Sequence, residues 1–357
     1  MATAVSSGFR HTVWTAQGTT PAEIEAALRR LLYEGQTQLS GYAPARALNM
    51  VCVVDKQSTD EVATRLRGAG RYLASRTVIC AVEPKRDRID ARAEIISESP
   101  TGSSDFALLR EIITLEVGEQ HLSRLEPIVD PLVVTDLSTV LWCPSDYDAA
   151  IWALLPLSQV VLVDSMDHSE IDTGLRKADK LLESAYVVDL AWLRSTPWRE
   201  RIAATFDPPN LRPDLQTISA MTIRHHPASA VAGLLLIGWL GSRLGWRLKP
   251  LAPANGRLSG TARRGRQGIK LTLESSTQQV RGLAGLTLET ATGRRLSLDR
   301  GPGGLRAHYV NDRGDERSWT VLGASRGESG ILGEGIRQAL LRDPTYGPAV
   351  SAANKLV

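Results

Sequence analysis

Residues 48–82, LNMVCVVDKQSTDEVATRLRGAGRYLASRTVICAV, decide how the first half of the chain is built. The two ends, MVCVV and TVICAV, are short apolar runs rich in β-branched residues, as strands covered on both faces require. Between them Val62, Leu66, Ala69 and Leu73 recur at helical spacing. They follow Ser58-Thr59-Asp60-Glu61, which has the form of a capping box. Strand, helix and strand in that order make a βαβ unit, paired in parallel through a right-handed crossover.

The same alternation continues on both sides. Thr20-Pro21-Ala22-Glu23 is a second capping box, with proline at the first helical position, and Ile24, Leu28, Leu31 and Leu32 give its helix an apolar stripe. Further strands are expected at 93–97, 112–117, 139–143 and 160–163, and helices at 119–125, 147–154 and 171–183. Residues 1–184 are therefore expected to form an α/β domain, a mostly parallel sheet with helices on both faces. Beyond that point the pattern changes. Helices at 197–206 and 228–244 precede short alternating segments at 269–274, 283–290, 296–300, 305–310 and 318–322. Turns such as Ala291-Thr292-Gly293 and Asn311-Asp312-Arg313-Gly314 separate them, which predicts an antiparallel meander. Helices at 331–341 and 344–353 complete an α+β domain over 185–357.

Composition bounds the function. At 357 residues the chain exceeds what one core supports, which gives two domains, and 43% apolar with 23% charged residues is ordinary for a globular protein. The first residues lack an apolar segment behind a basic start, so they do not read as a signal peptide. The longest uncharged run, 227–242, falls short of the ~20 residues that span a bilayer and reads as a buried core helix. Cys52, Cys80 and Cys143 have no metal-binding spacing and sit in strand-like apolar runs, which predicts buried thiols in a reducing cytoplasm. The net charge of +3 hides an asymmetry: between Arg247 and Arg306 twelve Arg or Lys face three acids, a net +9, and the remainder carries −6. A basic lobe attracts an acidic protein surface, a phosphorylated ligand or nucleic acid.

Several motifs imitate catalytic sites. Gly323-Ala324-Ser325-Arg326-Gly327 is a literal G-x-S-x-G, yet a nucleophile elbow needs a later histidine and the last one is His308. Gly68-Ala69-Gly70 lies in a helix and lacks the third glycine of a dinucleotide loop. His168-Ser169-Glu170 has no P-C-x-x-C after it, and His225-His226 are adjacent, a poor arrangement for one metal. No catalytic residue, metal or cofactor is assigned. Asp55, Ser145, Asp164 and Ser165 fall at strand ends, where open α/β sheets hold ligands. They offer a pocket for a phosphorylated metabolite, or act simply as caps of strand-to-helix turns.

The most specific stretch is 187–207, VVDLAWLRSTPWRERIAATFD. Thr196 is placed to cap a helix that begins at Pro197. Trp198, Ile202 and Phe206 share one apolar face, with Arg199 and Arg201 off it. This stretch resembles the D-L-x-W-x-R-x-T-P-W-R pattern of the OpcA family of glucose-6-phosphate dehydrogenase assembly proteins. YLASRTVICAV at 72–82, LSTVLWCP at 137–144, VVLVDS at 160–165 and ASAVAGLLLIGWLGSRLGW at 228–246 resemble that family in the same order. Ala74 stands where the family pattern has proline, and Cys143 where it has a second tryptophan.

The resemblance implies a non-catalytic cytoplasmic partner that assembles or activates glucose-6-phosphate dehydrogenase in the oxidative pentose phosphate pathway. In some members it implies redox control through cysteines, to which Cys52, Cys80 and Cys143 find no match. Trp and Arg dominate interface energetics, so Asp189, Trp192, Arg194, Trp198, Arg199 and Arg201 are expected to serve partner binding, directly or by shaping the docking surface. An outward Arg199 would meet an acidic partner, while Trp198 belongs to the core. Two rival readings stand beside this one. One is an enzyme, a serine hydrolase through Ser325 or a sugar-phosphate enzyme at the strand-end loops. The other is a nucleic-acid binder using the basic lobe, disfavoured because aromatic residues do not interleave with its arginines.

Overall fold

The computed structural model describes residues 10–38, 47–69, 75–98, 108–145, 147–168, 170–322, 327–339 and 341–357. Ser325 of the G-x-S-x-G stretch, Gly70, Leu73 and Ser169 lie outside them. The chain forms two compact units. One comprises Met1–Val163, Ser184–Val188 and Leu332–Leu340; the other comprises Asp164–Glu183, Asp189–Ile331 and Leu341–Val357.

The first unit is built on a sheet whose strands are β1 (Arg10–Ala16), β2 (Leu48–Asp55), β3 (Ser75–Val82), β4 (Asp90–Glu98), β5 (Leu108–Val117), β6 (Thr139–Trp142), β7 (Val160–Val163) and β8 (Tyr186–Asp189). Their order is β1-β4-β5-β3-β2-β6-β7-β8. The run β5-β3-β2-β6-β7 is parallel, with Cys52 opposite Ile79, as the βαβ reading requires. β4 folds back antiparallel on β5, and β1, which carries no clear apolar alternation, closes the edge antiparallel to β4.

Helices α1 (Pro21–Gln38) and α2 (Thr59–Gly68) take opposite faces of this sheet. The α1 face carries a buried ion pair: Arg76 Nε donates to Glu111 Oε2 at 2.7 Å, and its Nη1 reaches Glu25 of α1 at 3.0 Å. The α2 face presents Thr77, Ile79 and Ile112. Short helices α3 (Glu126–Val129) and α4 (Asp148–Leu154) complete the unit. The capping box at Thr20 is present in both directions, Thr20 N–H to Glu23 at 3.0 Å and Glu23 N–H to Thr20 Oγ1 at 3.4 Å. The one expected at Ser58 is absent, because a 3₁₀ turn over Lys56–Ser58 puts Ser58 in helical geometry, where its side chain makes no cap bond.

The second unit contains α5 (Ile171–Leu182), α6 (Leu190–Arg194), α7 (Thr196–Phe206), α8 (Ala230–Leu244) and α10 (Tyr346–Ala353), and α9 (Gly327–Gln338) begins there. Its sheet has strands β9 (Ile218–His225), β10 (Ala252–Ala254), β11 (Arg257–Arg264), β12 (Gln267–Ser275), β13 (Leu283–Thr290), β14 (Arg295–Gly301), β15 (Gly304–Val310) and β16 (Glu316–Leu322), in the order β10-β11-β12-β9-β13-β14-β15-β16. From β13 to β16 it is the expected antiparallel meander. The central strand β9 escapes the sequence reading, because alternate positions carry Ala220, Thr222 and Arg224. It pairs parallel to β12 and antiparallel to β13.

α8 covers one face of this sheet. The window Pro227–Leu244 is apolar and long enough to cross a membrane by length and composition, but Leu234, Leu235, Leu236 and Ile237 are fully buried in the protein. Glycines permit the close packing. A Cβ at Gly233 would lie 2.3 Å from Leu273 of β12, and one at Gly238 would lie 2.2 Å from the Ala349 carbonyl of α10. The +9 stretch is threaded through the sheet, where Arg257 pairs with Glu274, Arg295 with Glu289, and Arg294 with both Asp214 and Asp312.

Candidate functional site

The Trp–Arg segment sits where β8 ends and two helices turn away. Asp189 caps α6 by accepting from the Ala191 N–H at 2.9 Å. The same oxygen accepts from Ser165 N–H at 3.1 Å, and the other accepts from the Tyr346 hydroxyl of α10 at 2.9 Å. Asp189 is buried, and desolvation, reinforced by the charge of Asp164, pushes its pKa up to about 6 despite these hydrogen bonds. Beside it Asp164 pairs with Arg194 at 2.7 Å. Burial still outweighs the arginine and raises the Asp164 pKa. The next residues of that loop are held by Arg281, which donates to the Met166 carbonyl and the Asp167 carboxylate, each at 2.9 Å.

The aromatic half of the cluster follows. Arg199 sits over the Trp192 ring, its guanidinium carbon 3.6 Å from the centroid, and Tyr346 tilts against the same indole at 5.5 Å. Arg199 also donates to Ser195 Oγ at 3.1 Å and Thr196 Oγ1 at 2.9 Å. Trp192 Nε1 donates to Asp343 at 2.8 Å, and Thr345 holds the same carboxylate from its other side. Burial pulls the Arg199 pKa down to about 10, against the opposing charge of Asp343. Burial alone would raise Asp343, but the hydrogen bonds from Thr345 and Trp192 and the Arg199 charge hold it below the usual carboxylate range.

This geometry revises the local reading. Arg199 does not project outward; its side chain is only 12% exposed and is spent on partners of its own chain. The residue that precedes α7 is Ser195 rather than Thr196, and its hydroxyl donates to the Trp192 carbonyl at 2.7 Å. Trp198, Ile202 and Phe206 are buried, as their spacing predicts. Arg201 is half-buried on the same helix. Of the strand-end residues, Asp164 and Ser165 join this cluster. Asp55 and Ser145 meet in the first unit, where Ser145 Oγ donates to Asp55 at 2.9 Å and the Tyr147 hydroxyl donates to its other oxygen.

Nearby strand ends in the first unit carry a network of Lys56 with Glu83 and Glu116, and of Arg86 with Glu83, Glu116 and Asp90. On the α2 face of that unit a groove of about 600 Å³ is lined by His11, Thr59, Arg67, Arg92, Glu94 and Ile112 among others. Asp343 and Tyr346 are the members of the Trp–Arg cluster that the sequence reading missed. They come from the end of the chain, and nothing local announces a partner some 150 residues upstream.

Chemically the cluster is a lock. Its carboxylates accept from backbone, tyrosine and indole donors or pair with arginine. Asp189 titrates near neutrality but is buried away from any diffusing substrate. Among the described residues no group of three His, Cys, Asp or Glu side chains could hold a metal ion.

Two family profiles match the chain. Residues 36–180 match the glucose-6-phosphate dehydrogenase subunit N-terminal domain, and residues 185–350 match the corresponding C-terminal domain. A relative from Nostoc punctiforme, named as an OpcA protein of the OxPP cycle, is 27% identical over 234 residues, which cover 64% of this chain and 49% of that protein. A relative of the same name from Synechococcus elongatus is 28% identical over 161 residues, 43% of this chain and 36% of the other. The match thus spans half the length of these relatives or less. A solved glucose-6-phosphate dehydrogenase bound to glucose-6-phosphate aligns with a TM-score of 0.48 at 10% identity, over 88% of this chain and 91% of that one.

Proposed function

Because the chain belongs to the OpcA family of glucose-6-phosphate dehydrogenase assembly proteins, we propose that it is a non-catalytic partner of that dehydrogenase. It acts in the cytoplasm by protein–protein contact, promoting assembly or activation of the enzyme in the oxidative pentose phosphate cycle. One observation carries this reading: the two dehydrogenase-subunit profiles run in order along the chain, from residue 36 to residue 350.

The cluster supports a shaping role for the Trp–Arg segment. Asp189, Trp192, Arg194 and Arg199 bond within the chain, and Trp198 lies in the core. They set the course of α6 and α7, and the surface those helices present, with half-buried Arg201 at its margin, meets the enzyme. The strand-end residues Asp55 and Ser145, and Asp164 and Ser165, serve as turn and cap partners in this reading.

The test is direct. Purified chain is titrated into the cognate dehydrogenase while activity and particle mass are followed. The expected result is a saturable rise in activity or a shift to a larger assembly. A dehydrogenase unchanged in binding, activity and mass would overturn the reading.

A further inference from the structure

The helices cover one face of the second sheet, and the other face is ordered in rows. Strand register places Thr272, Thr222, Thr287, Ser297, His308 and Ser318 side by side on six adjacent strands. All but the histidine are short hydroxyl side chains. Two residues along each strand in one direction lies a second row, Glu274, Arg224, Gly285, Asp299 and Arg306. Two residues in the other direction lies a third, Lys270, Ala220, Glu289 and Arg295. The outward direction is fixed by Arg224. Its guanidinium crosses β13 over Gly285, where a Cβ would lie 2.4 Å from it, and reaches Asp299 at 2.8 Å. Lys270, Glu289, Arg295, Asp299 and Arg306 are exposed.

We propose that this face docks onto the same face of a second copy of the chain. Its charges are complementary to themselves. A two-fold axis along the hydroxyl row exchanges the two outer rows strand by strand. Glu274 of one copy then faces Lys270 of the other, and Asp299 faces Arg295, each pair twice. Arg224 falls over Ala220 and Gly285 over Glu289, so these exchanges bring no like charges together. The four pairing charges lie on β12 and β14, about 14 Å apart at the usual strand spacing, so sheet twist displaces them little.

Short Ser and Thr side chains along the axis let the sheets approach to the ~10 Å of aligned sheet packing. Six strands by five residues cover roughly 500 Å² per copy, or about 1,000 Å² in all, the floor for a specific interface. The dimer is accordingly a weak one, forming as concentration rises. Alternating acids and bases on one flat face suit this occupant better than a phosphate backbone, which needs one sign of charge.

Sedimentation velocity of the full chain alone tests this without the dehydrogenase. The expected result is a monomer–dimer equilibrium in which Lys270→Glu and Glu274→Lys each weaken dimerisation by about tenfold or more. Mixing the two variants should restore it, because the hybrid dimer again has opposite charges facing. Thermal unfolding of each variant checks that it is folded. A chain monomeric at every concentration overturns the proposal, as does a dimer insensitive to both substitutions, or a mixture that associates no better than either variant. A monomeric chain whose effect on the dehydrogenase is lost in Lys270→Glu would assign the face to that enzyme instead, and equally overturn it.

Discussion

The guanidinium of Arg199 lies 3.6 Å over the indole of Trp192, seven residues earlier, and both are tied to Asp343 near the end of the chain. This stack joins two successive short helices to the last turn before α10. The arginine is therefore a structural member of the segment, and its removal should be felt first in stability. Arg199→Ala loses the stack and its charged hydrogen bonds, at a cost of about 3 kcal/mol. Arg199→Lys should not restore it, because an ammonium cannot reproduce the planar fork. Trp198→Ala, which empties a fully buried site, should cost about 3–5 kcal/mol. Denaturant unfolding of the three variants checks this. An Arg199→Ala protein as stable as wild type, yet inert toward the dehydrogenase, would return Arg199 to a direct docking role.

Asp189 should give the protein an unusual response to mild acid. Its folded pKa of about 6 lies above its unfolded value near 4, so the folded state binds more protons than the unfolded state between them. The stability this supplies is complete below about pH 4 and is lost as pH rises through 6, up to about 3 kcal/mol. In Asp189→Asn the contribution is missing. The difference in unfolding free energy between wild type and variant should therefore shift steadily against the wild type from pH 4 to 7, and a difference independent of pH would disprove the assignment.

The three cysteines should separate in reactivity. Cys52 and Cys80 are fully buried; burial raises both thiols, Cys80 to about 12, so neither presents a thiolate. Cys143 differs from the sequence expectation. It lies just past the end of β6, half-exposed, with its thiol directed at the Ser145 carbonyl at 2.8 Å. Mass spectrometry after brief alkylation should find Cys143 modified in the native protein, and Cys52 and Cys80 only in denaturant.

The Arg76–Glu111 pair should be costly to break on one side. Both residues are buried, at 5% and 1% exposure, and Arg76 also reaches Glu25, so removing Glu111 strips the buried arginine of the nearer of these two carboxylates. Glu111→Ala is expected to cost about 3–5 kcal/mol, and the paired replacement Arg76→Met with Glu111→Leu markedly less. Equal losses in the single and double variants would show that the pair is not coupled.

Some of this architecture is legible residue by residue. The parallel strands are apolar throughout because both faces are covered, so β2 and β3 stand out in MVCVV and TVICAV. β9 is hidden by the opposite circumstance. Its outward positions carry Ala220, Thr222 and Arg224, and only its neighbours on both sides make it the centre of a sheet. The Trp–Arg segment announces itself by composition, but composition is silent on direction. The same residues would serve a docking surface or an internal lock.

The sequence by itself determined the local elements, the covered helix α8, the α7 stripe of Trp198, Ile202 and Phe206, and the family, because periodicity, caps and motif order are properties of near neighbours. Only the tertiary structure decided that Arg199 turns inward, that Asp343 and Tyr346 complete the cluster, and that hydroxyls and alternating charges line up across six strands. Those facts depend on which distant segments meet. A side chain's burial, and hence its charge and its role, is set by partners that the chain brings together only when folded.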